Sequence, residues 1–433
     1  MMTENPRRTV VIGLDGVPYG LLDKLSDCGV MSNFKDLKEE GTFRVMRSTV
    51  PEVSAVSWSS IITGKNPGEH GVYGFTDLLR GFYVLSFHSS KNLKAPTFWQ
   101  MDKTCKYVVI NLPATYPAGE INGVLVSGFV SPDIEEAVYP REYAKTLYDL
   151  NYQIDIDIER SKLSNRILFK QLYKTLDARM KLALHLWDDM DWKVFMLVFT
   201  GTDRLEHLLW HAYEDKRHEY HEDFLEYFKA IDNAIGTINS RLSEEDLLVI
   251  LSDHGMERTE INVNINALLR QEGYLLTEDN PKKGYNSIKR ETKAFALDPS
   301  RIYLNKKGKY PRGSVDMDEE EDLIQELKEL FYDFRWKGKR VIRRVYRKEE
   351  IYKGRCVDQA PDLVLIPEKG FNLRARLFSK ELFEVDEITG KHTLDDAFLY
   401  VKSLDDEKIP ENPSVEDVLP ILWSLGGLRV ETP

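Results

Sequence analysis

Three aspartates in this sequence lie just after short apolar runs rich in β-branched residues, where strands are predicted to end. They are Asp15 after the run Thr9–Leu14, Asp203 after Lys193–Thr200, and Asp253 after Leu247–Ser252. The carboxyl ends of parallel strands meet at one edge of an open α/β sheet, which is where such sheets bind ligands. A single aspartate at such a place is usually a helix cap. Three together predict a carboxylate cluster that could bind metal cations.

Histidines accompany two of these aspartates. His254 directly follows Asp253, and His207 lies four residues after Asp203 on a predicted helix. Residues i and i+4 of a helix share one face, so Asp203 and His207 can bind the same ion. His211 continues that face and is the alternative ligand, less favoured than His207. Mixed carboxylate and imidazole donors suit zinc, manganese or iron rather than calcium.

A serine-rich segment precedes the predicted helix Ser57–Thr63 and contains Ser54. A serine at a helix start is usually an N-cap, but it can also be a nucleophile because the backbone N–H groups there hold phosphate oxygens. The chain has no Gly-x-Ser-x-Gly motif, which argues against a hydrolase of the serine triad type. Activation of the hydroxyl by a metal is then the natural route. We predict Ser54 as the nucleophile, with Ser57 as the alternative.

The elements that must position these residues alternate along the chain. Further apolar runs of the strand type are Tyr107–Asn111, Val124–Ser127 and Asp362–Ile366, and helical candidates are Asn165–Trp187, Asp203–Tyr213, His218–Ser240, Asp318–Phe331 and Val415–Leu425. Continuous apolar strands are typical of a sheet buried on both faces. We therefore expect an α/β fold with a mostly parallel central sheet flanked by helices on both faces.

One stretch differs in composition, being richer in Lys, Arg, Gly and Pro and in shorter strand-like pieces. We predict that residues 261–386 form an inserted cap or flanking subdomain, and that residues 1–260 and 387–433 form the α/β core.

Bulk properties limit the partners. The net charge of −12 disfavours a nucleic acid, although bound cations would still let a small phosphate compound approach. Three widely spaced cysteines form neither a disulfide framework nor a thiolate metal site. We see no signal-peptide pattern in the first residues and no apolar run of the roughly 20 residues that span a membrane. A cytoplasmic protein with no membrane partner is expected.

Taken together, the ordered motifs resemble those of the type I phosphodiesterase and nucleotide pyrophosphatase family of the alkaline phosphatase superfamily. They are Gly13-Leu-Asp15-Gly, Val53-Ser54-Ala-Val-Ser-Trp-Ser-Ser-Ile-Ile-Thr-Gly, Asn111-Leu-Pro-Ala-Thr-Tyr-Pro, Asp203-x-x-x-His207 with Trp210, Ser252-Asp253-His254-Gly-Met, Ala360-Pro-Asp362-Leu-Val and Gly390-Lys-His392. This resemblance implies an alkaline phosphatase-like core and two divalent metal ions. Zinc is the expected metal and manganese is the alternative.

The resemblance also implies a division of the ligands. One ion takes Asp203, His207 and His392. The other takes Asp15, Asp253, His254 and the nucleophile Ser54. His392 is assigned by the resemblance alone, since no spacing in the sequence points to it.

The expected function is hydrolysis of a small phosphate ester, with nucleotides among the candidate substrates, through a phospho-serine on Ser54. We expect a preference for phosphodiesters because the first basic residue after Ser54 is Lys65, and because Trp58 or Phe75 could accommodate a second, apolar substituent. A phosphomonoesterase and a phosphotransferase similar to cofactor-independent phosphoglycerate mutase are the alternatives. A catalytically silent binding protein is less favoured, because all six candidate metal ligands are present.

Overall fold

The protein is described by a computed structural model that covers residues 8–403 and 406–426. It divides into two compact units. The first comprises the described residues within 1–65, 89–256 and 392–433, and the second comprises residues 66–88 and 257–391.

The domain boundaries expected from the sequence stay a prediction. Residues 1–7, 404–405 and 427–433, which that prediction assigns to the core, lie outside the described residues.

An eight-stranded sheet forms the centre of the first unit. From one edge to the other its strands are β2 (Thr42–Met46), β21 (Ala397–Val401), β9 (Leu247–Leu251), β1 (Thr9–Leu14), β8 (Val194–Phe199), β5 (Tyr107–Leu112), β6 (Gly123–Ser127) and β7 (Val138–Tyr139). The five strands from β9 to β6 are parallel. Antiparallel strands complete both edges, β21 and β2 on one side and β7 on the other.

Side chains of the central strands enter two separate apolar cores. All six residues of β1 are buried, and Val10, Ile12 and Leu14 face one core while Val11 faces the other. This alternation follows from the two-residue period of a strand. It explains why the sequence shows continuous apolar runs rather than alternation of apolar and polar residues.

Helices cover both faces of the sheet. The helices packed on the first core are α1 (Tyr19–Asp27), α2 (Ser32–Glu39), α6 (Tyr143–Asp149), α7 (Ile158–Ser161), α8 (Asn165–Asp189), α9 (Gly201–Glu214) and α10 (His221–Asn239). Those on the second are α3 (Ser54–Thr63), α5 (Phe98–Met101) and α14 (Val418–Gly426). Short 3₁₀ turns lie at Ser90–Asn92, Asp406–Lys408 and Val415–Asp417. The expected α/β class, with a mostly parallel sheet between helices, is confirmed.

The second unit has its own apolar core and smaller sheets. Its strands are β3 (Thr76–Leu78), β4 (Leu85–Phe87), β11 (Ile261–Asn264), β12 (Ala294–Leu297), β13 (Arg301–Leu304), β14 (Arg335–Trp336), β15 (Lys339–Arg340), β16 (Ile342–Arg347), β17 (Leu363–Pro367), β18 (Phe371–Arg374) and β19 (Phe383–Glu384). Its helices are α4 (Pro67–His70), α11 (Ile265–Gln271), α12 (Glu320–Asp333) and α13 (Lys348–Ile351), with 3₁₀ turns at Pro281–Ser287 and Val357–Gln359. The longer segment of this unit, residues 257–391, begins within β10 (Gly255–Arg258) and ends within β20 (Gly390–Thr393).

One predicted strand lies elsewhere than expected. The run Asp362–Ile366 was counted among the apolar strands typical of a parallel sheet, although it falls within the predicted insertion 261–386. In the structure β17 lies between β13 and β16 and is antiparallel to both, so the expected parallel pairing was wrong. A short buried apolar run does not distinguish a parallel strand from an inner antiparallel strand, because both are covered on their two faces.

None of the helices in the described ranges is both long enough and apolar enough to cross a membrane.

Candidate metal centre

The order of strands in the sheet brings the three predicted aspartates together. Strand β1 lies between β8 and β9, and Asp15 follows β1 directly. Asp253 follows β9, and Asp203 lies in the first turn of α9, which begins just after β8. All three side chains are buried. The strand-end pattern therefore produces one carboxylate cluster within the first unit.

The glycines on either side of Asp15 allow close approaches. A Cβ atom on Gly13 would lie 2.4 Å from Cη2 of Trp58, so only glycine leaves room for that ring. Gly16 has a positive φ of 79°, and its amide donates a hydrogen bond to Oδ1 of Asp253 at 3.2 Å. The motif thus fixes the strand end against its neighbours.

Trp58 is fully buried, and its indole N–H donates to Oδ2 of Asp15 at 2.9 Å. The expectation that Trp58 could hold a substituent of the substrate was wrong. A tryptophan on the buried face of a helix and one lining a pocket look alike in sequence. Its partner in the structure shows that it orients Asp15 instead.

A first group of donors consists of Asp203, His207 and His392, whose ligand atoms lie within 4.8 Å of one another. Oδ1 of Asp203 is 3.2 Å from Nε2 of each histidine, and the two Nε2 atoms are 2.9 Å apart. Ligands bound to zinc at 2.0–2.1 Å in a tetrahedron lie about 3.3 Å apart. The three atoms are therefore spaced as they would be around one ion.

A second group consists of Asp15, Asp203 and His254. Nε2 of His254 is 3.7 Å from Oδ1 of Asp15 and 4.0 Å from Oδ1 of Asp203. Asp253 lies beside this group, with Oδ2 3.5 Å from Nε2 of His254. The structure brings all six predicted metal ligands together, and Asp203 is common to both groups.

Backbone carbonyls fix the orientation of two histidine rings. Nδ1 of His392 lies 2.8 Å from the carbonyl oxygen of Glu52, and Nδ1 of His254 lies 3.0 Å from that of Gly255. A carbonyl only accepts, so Nδ1 carries the proton in each ring and Nε2 presents a lone pair to the cluster. This arrangement is typical of histidines that bind metals.

The electrostatics of the cluster are unfavourable without a cation. Burial, followed by repulsion from Asp203, raises the pKa of Asp253 to about 8. Burial and the charges of Asp253 and Asp203 raise the pKa of Asp15 well above its usual value. Burial lowers the pKa values of His254 and His392 to about 4. The rings are thus neutral near pH 7 and available as ligands.

Burial also acts to raise the pKa of Asp203, but the interactions with His207 and Arg204 outweigh it and hold that pKa well below the usual range. Among the described residues, Oδ1 of Asp203 and Oδ2 of Asp253 accept no hydrogen bond. Buried carboxylate oxygens without donors are costly unless a cation compensates them. The donor types, their spacing and these two oxygens fit divalent cations of the transition-metal type.

Ser54 is the first residue of α3 and is close to the second group. Its Oγ atom lies 3.1 Å from Nε2 of His254 and 3.4 Å from Oδ1 of Asp15. The hydroxyl of Ser57 lies among other partners, 2.9 Å from Oγ of Ser48. It is also 2.9 Å from Oγ1 of Thr49 and donates to the carbonyl oxygen of Val53 at 3.3 Å. The geometry favours Ser54 over Ser57 as the reacting hydroxyl.

His211, the alternative helical ligand, is not in either donor group formed by the described residues. Its ring packs edge to face against His218, with centroids 4.6 Å apart. His207 is four residues after Asp203, about one helical turn, and therefore lies beside it. His211 is eight residues after Asp203, about two turns further along α9.

Sequence reasoning missed two charged residues beside the centre, Arg204 and Glu206. Arg204 donates from Nη1 to Oδ2 of Asp203 at 2.7 Å. Glu206 is fully buried, and burial, then the charges of Asp203 and Asp396, raise its pKa well above the usual value. The spacing of i and i+3 from Asp203 was the only available signal for Glu206. Nothing in the sequence indicated that Arg204 would turn back to Asp203.

Comparisons with known proteins agree with this architecture. The sequence matches the family model described as type I phosphodiesterase / nucleotide pyrophosphatase over residues 9–395. No match was found among curated protein sequences.

Among solved structures, the fold is similar to that of phosphonoacetate hydrolase from Sinorhizobium meliloti 1021 in complex with phosphonoformate. The TM-score is 0.66 at 17% identity, over 98% of this chain and 96% of that one. It is also similar to an inactive variant of murine ectonucleotide pyrophosphatase/phosphodiesterase 5 in complex with AMP. There the TM-score is 0.57 at 13% identity, again over 98% and 96% of the two chains.

Proposed function

This chain belongs to the type I phosphodiesterase/nucleotide pyrophosphatase family and is a hydrolase of phosphate esters, and on that premise we propose that it cleaves phosphodiesters through a phospho-serine on Ser54 with two bound divalent metal ions. Zinc is the proposed metal and manganese the alternative, because aspartate and histidine donors suit both. A small phosphodiester, with nucleotides among the candidates, is the proposed substrate.

One observation carries this proposal. Oγ of Ser54 lies at the start of α3, within 3.1 Å of His254 and 3.4 Å of Asp15, both in the carboxylate and imidazole cluster. The N-cap of α3 is Val53 and Ser54 is the first residue of the helix, so Ser54 does not occupy the capping position. Ser54 is thus held toward candidate metal ligands rather than toward the backbone.

The residues of the site have separate roles in the proposed reaction. Asp203, His207 and His392 would hold one ion, and Asp15, Asp253, His254 and Ser54 the other. Bound ions of this kind lower the pKa of a coordinated hydroxyl and neutralise charge on phosphate oxygens. Oγ of Ser54 loses its proton and attacks phosphorus in line, and the bond to the leaving group breaks, so that the departing alkoxide takes up a proton and leaves as an alcohol. Water then attacks phosphorus and the Oγ–P bond breaks. A proton from that water returns to Oγ, which restores the serine hydroxyl, and a diester is released as a phosphomonoester.

Backbone groups at the start of α3 contribute less than the sequence suggested. The amides of Val56 and Ser57 already donate to the carbonyl oxygen of Val53, at 2.8 and 2.9 Å. Of these first-turn amides, the N–H of Ala55 is therefore the candidate donor to a phosphate oxygen.

The charge near Ser54 supports a diester rather than a monoester. Helix α3 contains no basic residue. A basic side chain there would offset the second negative charge of a monoester dianion. Arg204 lies near the cluster, but its guanidinium is bound to two carboxylates, Asp203 and Asp155. Its charge is thus already balanced before a substrate arrives. The phosphomonoesterase and the mutase-like phosphotransferase remain the alternatives to be tested.

The test compares an aryl phosphodiester with the matching aryl phosphomonoester on the same metal-loaded preparation. We expect the higher kcat/KM for the diester and loss of both activities after treatment with a chelator. A higher kcat/KM for the monoester would favour the phosphatase alternative. Full activity of metal-free protein would refute the two-metal mechanism altogether.

A further inference from the structure

Arg204 connects a candidate metal ligand to a residue outside both donor groups. Its Nη1 donates to Oδ2 of Asp203 at 2.7 Å, while Nε and Nη2 donate to Oδ2 of Asp155 at 3.0 and 2.7 Å. The guanidinium also lies over the ring of Phe129, 4.3 Å from its centroid. Only 13% of the Arg204 side chain is exposed. The guanidinium is thus held on two edges and on one face.

This arrangement assigns different tasks to the two oxygens of Asp203. Oδ2 accepts the hydrogen bond from Arg204, whereas Oδ1 lies 3.2 Å from Nε2 of both His207 and His392. Rotating the carboxylate so that both oxygens approached one ion would move Oδ2 away from Nη1 of Arg204 and weaken that hydrogen bond. Asp155 opposes that rotation, because it holds the guanidinium from the other side.

We propose that Arg204, anchored by Asp155, is a positioning residue that makes Asp203 a ligand through Oδ1 alone. This inference rests on the proposed function, in which Asp203, His207 and His392 bind a metal ion. Three single-atom protein ligands leave one position of a tetrahedral site open, as is typical of catalytic rather than structural sites. A carboxylate bound through both oxygens would occupy that position, which the substrate needs.

The chemistry requires arginine rather than lysine at this place. The planar guanidinium has donors on separate edges, so it can bind Asp155 and Asp203 at the same time without moving. A lysine would keep the positive charge but offers one flexible point of attachment. The variant Arg204→Lys therefore separates the effect of charge from the effect of the planar fork.

The experiment measures metal binding directly, with cobalt(II) as the probe. Wild type, Arg204→Met, Arg204→Lys and Asp155→Asn are titrated, and affinity and the visible absorption of each bound cobalt are recorded. Arg241→Met is the matched control, because it breaks a comparable arginine–aspartate bond of 2.8 Å, to Asp188, in a partly exposed pair. The control should bind cobalt as wild type does.

For Arg204→Met we expect one of the two sites to bind cobalt about 10- to 100-fold more weakly, the usual cost of losing a partner of a metal ligand. The absorption per bound cobalt should also decrease, because a freed Oδ2 raises the coordination number. Arg204→Lys should not restore either property. Asp155→Asn should show a smaller loss at the same site, and it serves as the decisive variant if Arg204→Met does not fold.

The outcomes separate this inference from the proposed function. A wild-type protein that binds no transition metal would refute the proposed function. Two bound ions in wild type, with unchanged affinity and spectrum in the Arg204 and Asp155 variants, would overturn the positioning role alone. Full restoration by Arg204→Lys would also overturn it, because charge without the fork would then suffice.

Discussion

Replacing Ser54 and Ser57 one at a time should separate catalysis from stability. The two hydroxyls lie one helical turn apart on α3 but have different surroundings. Oγ of Ser54 lies against the cluster, at His254 and Asp15, whereas Oγ of Ser57 is within hydrogen-bonding distance of three groups outside it. We predict opposite effects of the two alanine substitutions.

The magnitudes follow from these contacts. Ser54→Ala removes the nucleophile, and comparable losses lower kcat by about 10³- to 10⁶-fold, which corresponds to about 4–8 kcal/mol of transition-state stabilisation. Its folding stability should change by less than about 1 kcal/mol, since one hydroxyl is lost at the edge of the site. Ser57→Ala removes several buried hydrogen bonds and should lower the free energy of unfolding by about 1–3 kcal/mol, with kcat nearly unchanged.

The assay combines turnover of an aryl phosphodiester at fixed metal concentration with urea unfolding of each variant. Acid quenching during turnover, followed by mass spectrometry, should find the phosphoryl group, still esterified to the substituent that did not leave, on the peptide that contains Ser54 in wild type and on no peptide in Ser54→Ala. Turnover of Ser54→Ala within tenfold of wild type would refute the assignment. So would a loss of phosphate labelling in Ser57→Ala at unchanged stability.

Three further outcomes are expected. Trp58→Phe removes the donor to Oδ2 of Asp15 and should weaken metal binding about 10- to 100-fold in a calorimetric titration. Metal binding as tight as in wild type would show that the indole is not needed to orient Asp15. A metal-binding wild type should gain about 2.7 kcal/mol of stability at a free metal concentration 100 times Kd, and an unchanged thermal midpoint under those conditions would contradict binding to the folded state. Metal-free protein should lose stability between about pH 6.5 and 8, because the pKa of Asp253 rises from 3.8 unfolded to about 8 when folded, so the folded state must hold a proton that the unfolded state has already lost. His254 and His392, whose pKa values fall from 6.5 to about 4 on folding, oppose this loss mainly below pH 6.5 and only weakly above it. Thermal midpoints that rise from pH 6.5 to 8 in a chelator would contradict the raised pKa of Asp253.

The local sequence was informative wherever one element carries its own signal. Strand β1 begins and ends as its apolar run predicted, at Thr9 and Leu14. Helix α3 begins at Ser54 rather than at the predicted Ser57, because the first turn contains serine, alanine and valine and has no strong start signal. The edge strands β2 and β7 were not predicted, since pairing on one side only leaves a weaker apolar pattern.

What the sequence determined by itself was the set of acidic strand ends and the helical pair of Asp203 and His207, because those patterns depend on periods of two and 3.6 residues within single elements. The tertiary structure alone decided which distant residues complete them. His392 lies beside His207 although 185 residues separate them, and Arg204 meets Asp155 across 49 residues. Such pairs leave no local pattern, because they form only when the sheet and its helices pack and place their side chains within hydrogen-bonding distance. The sequence made Trp58 a candidate contact of the substrate. In the packed structure it is buried and donates a hydrogen bond to Asp15.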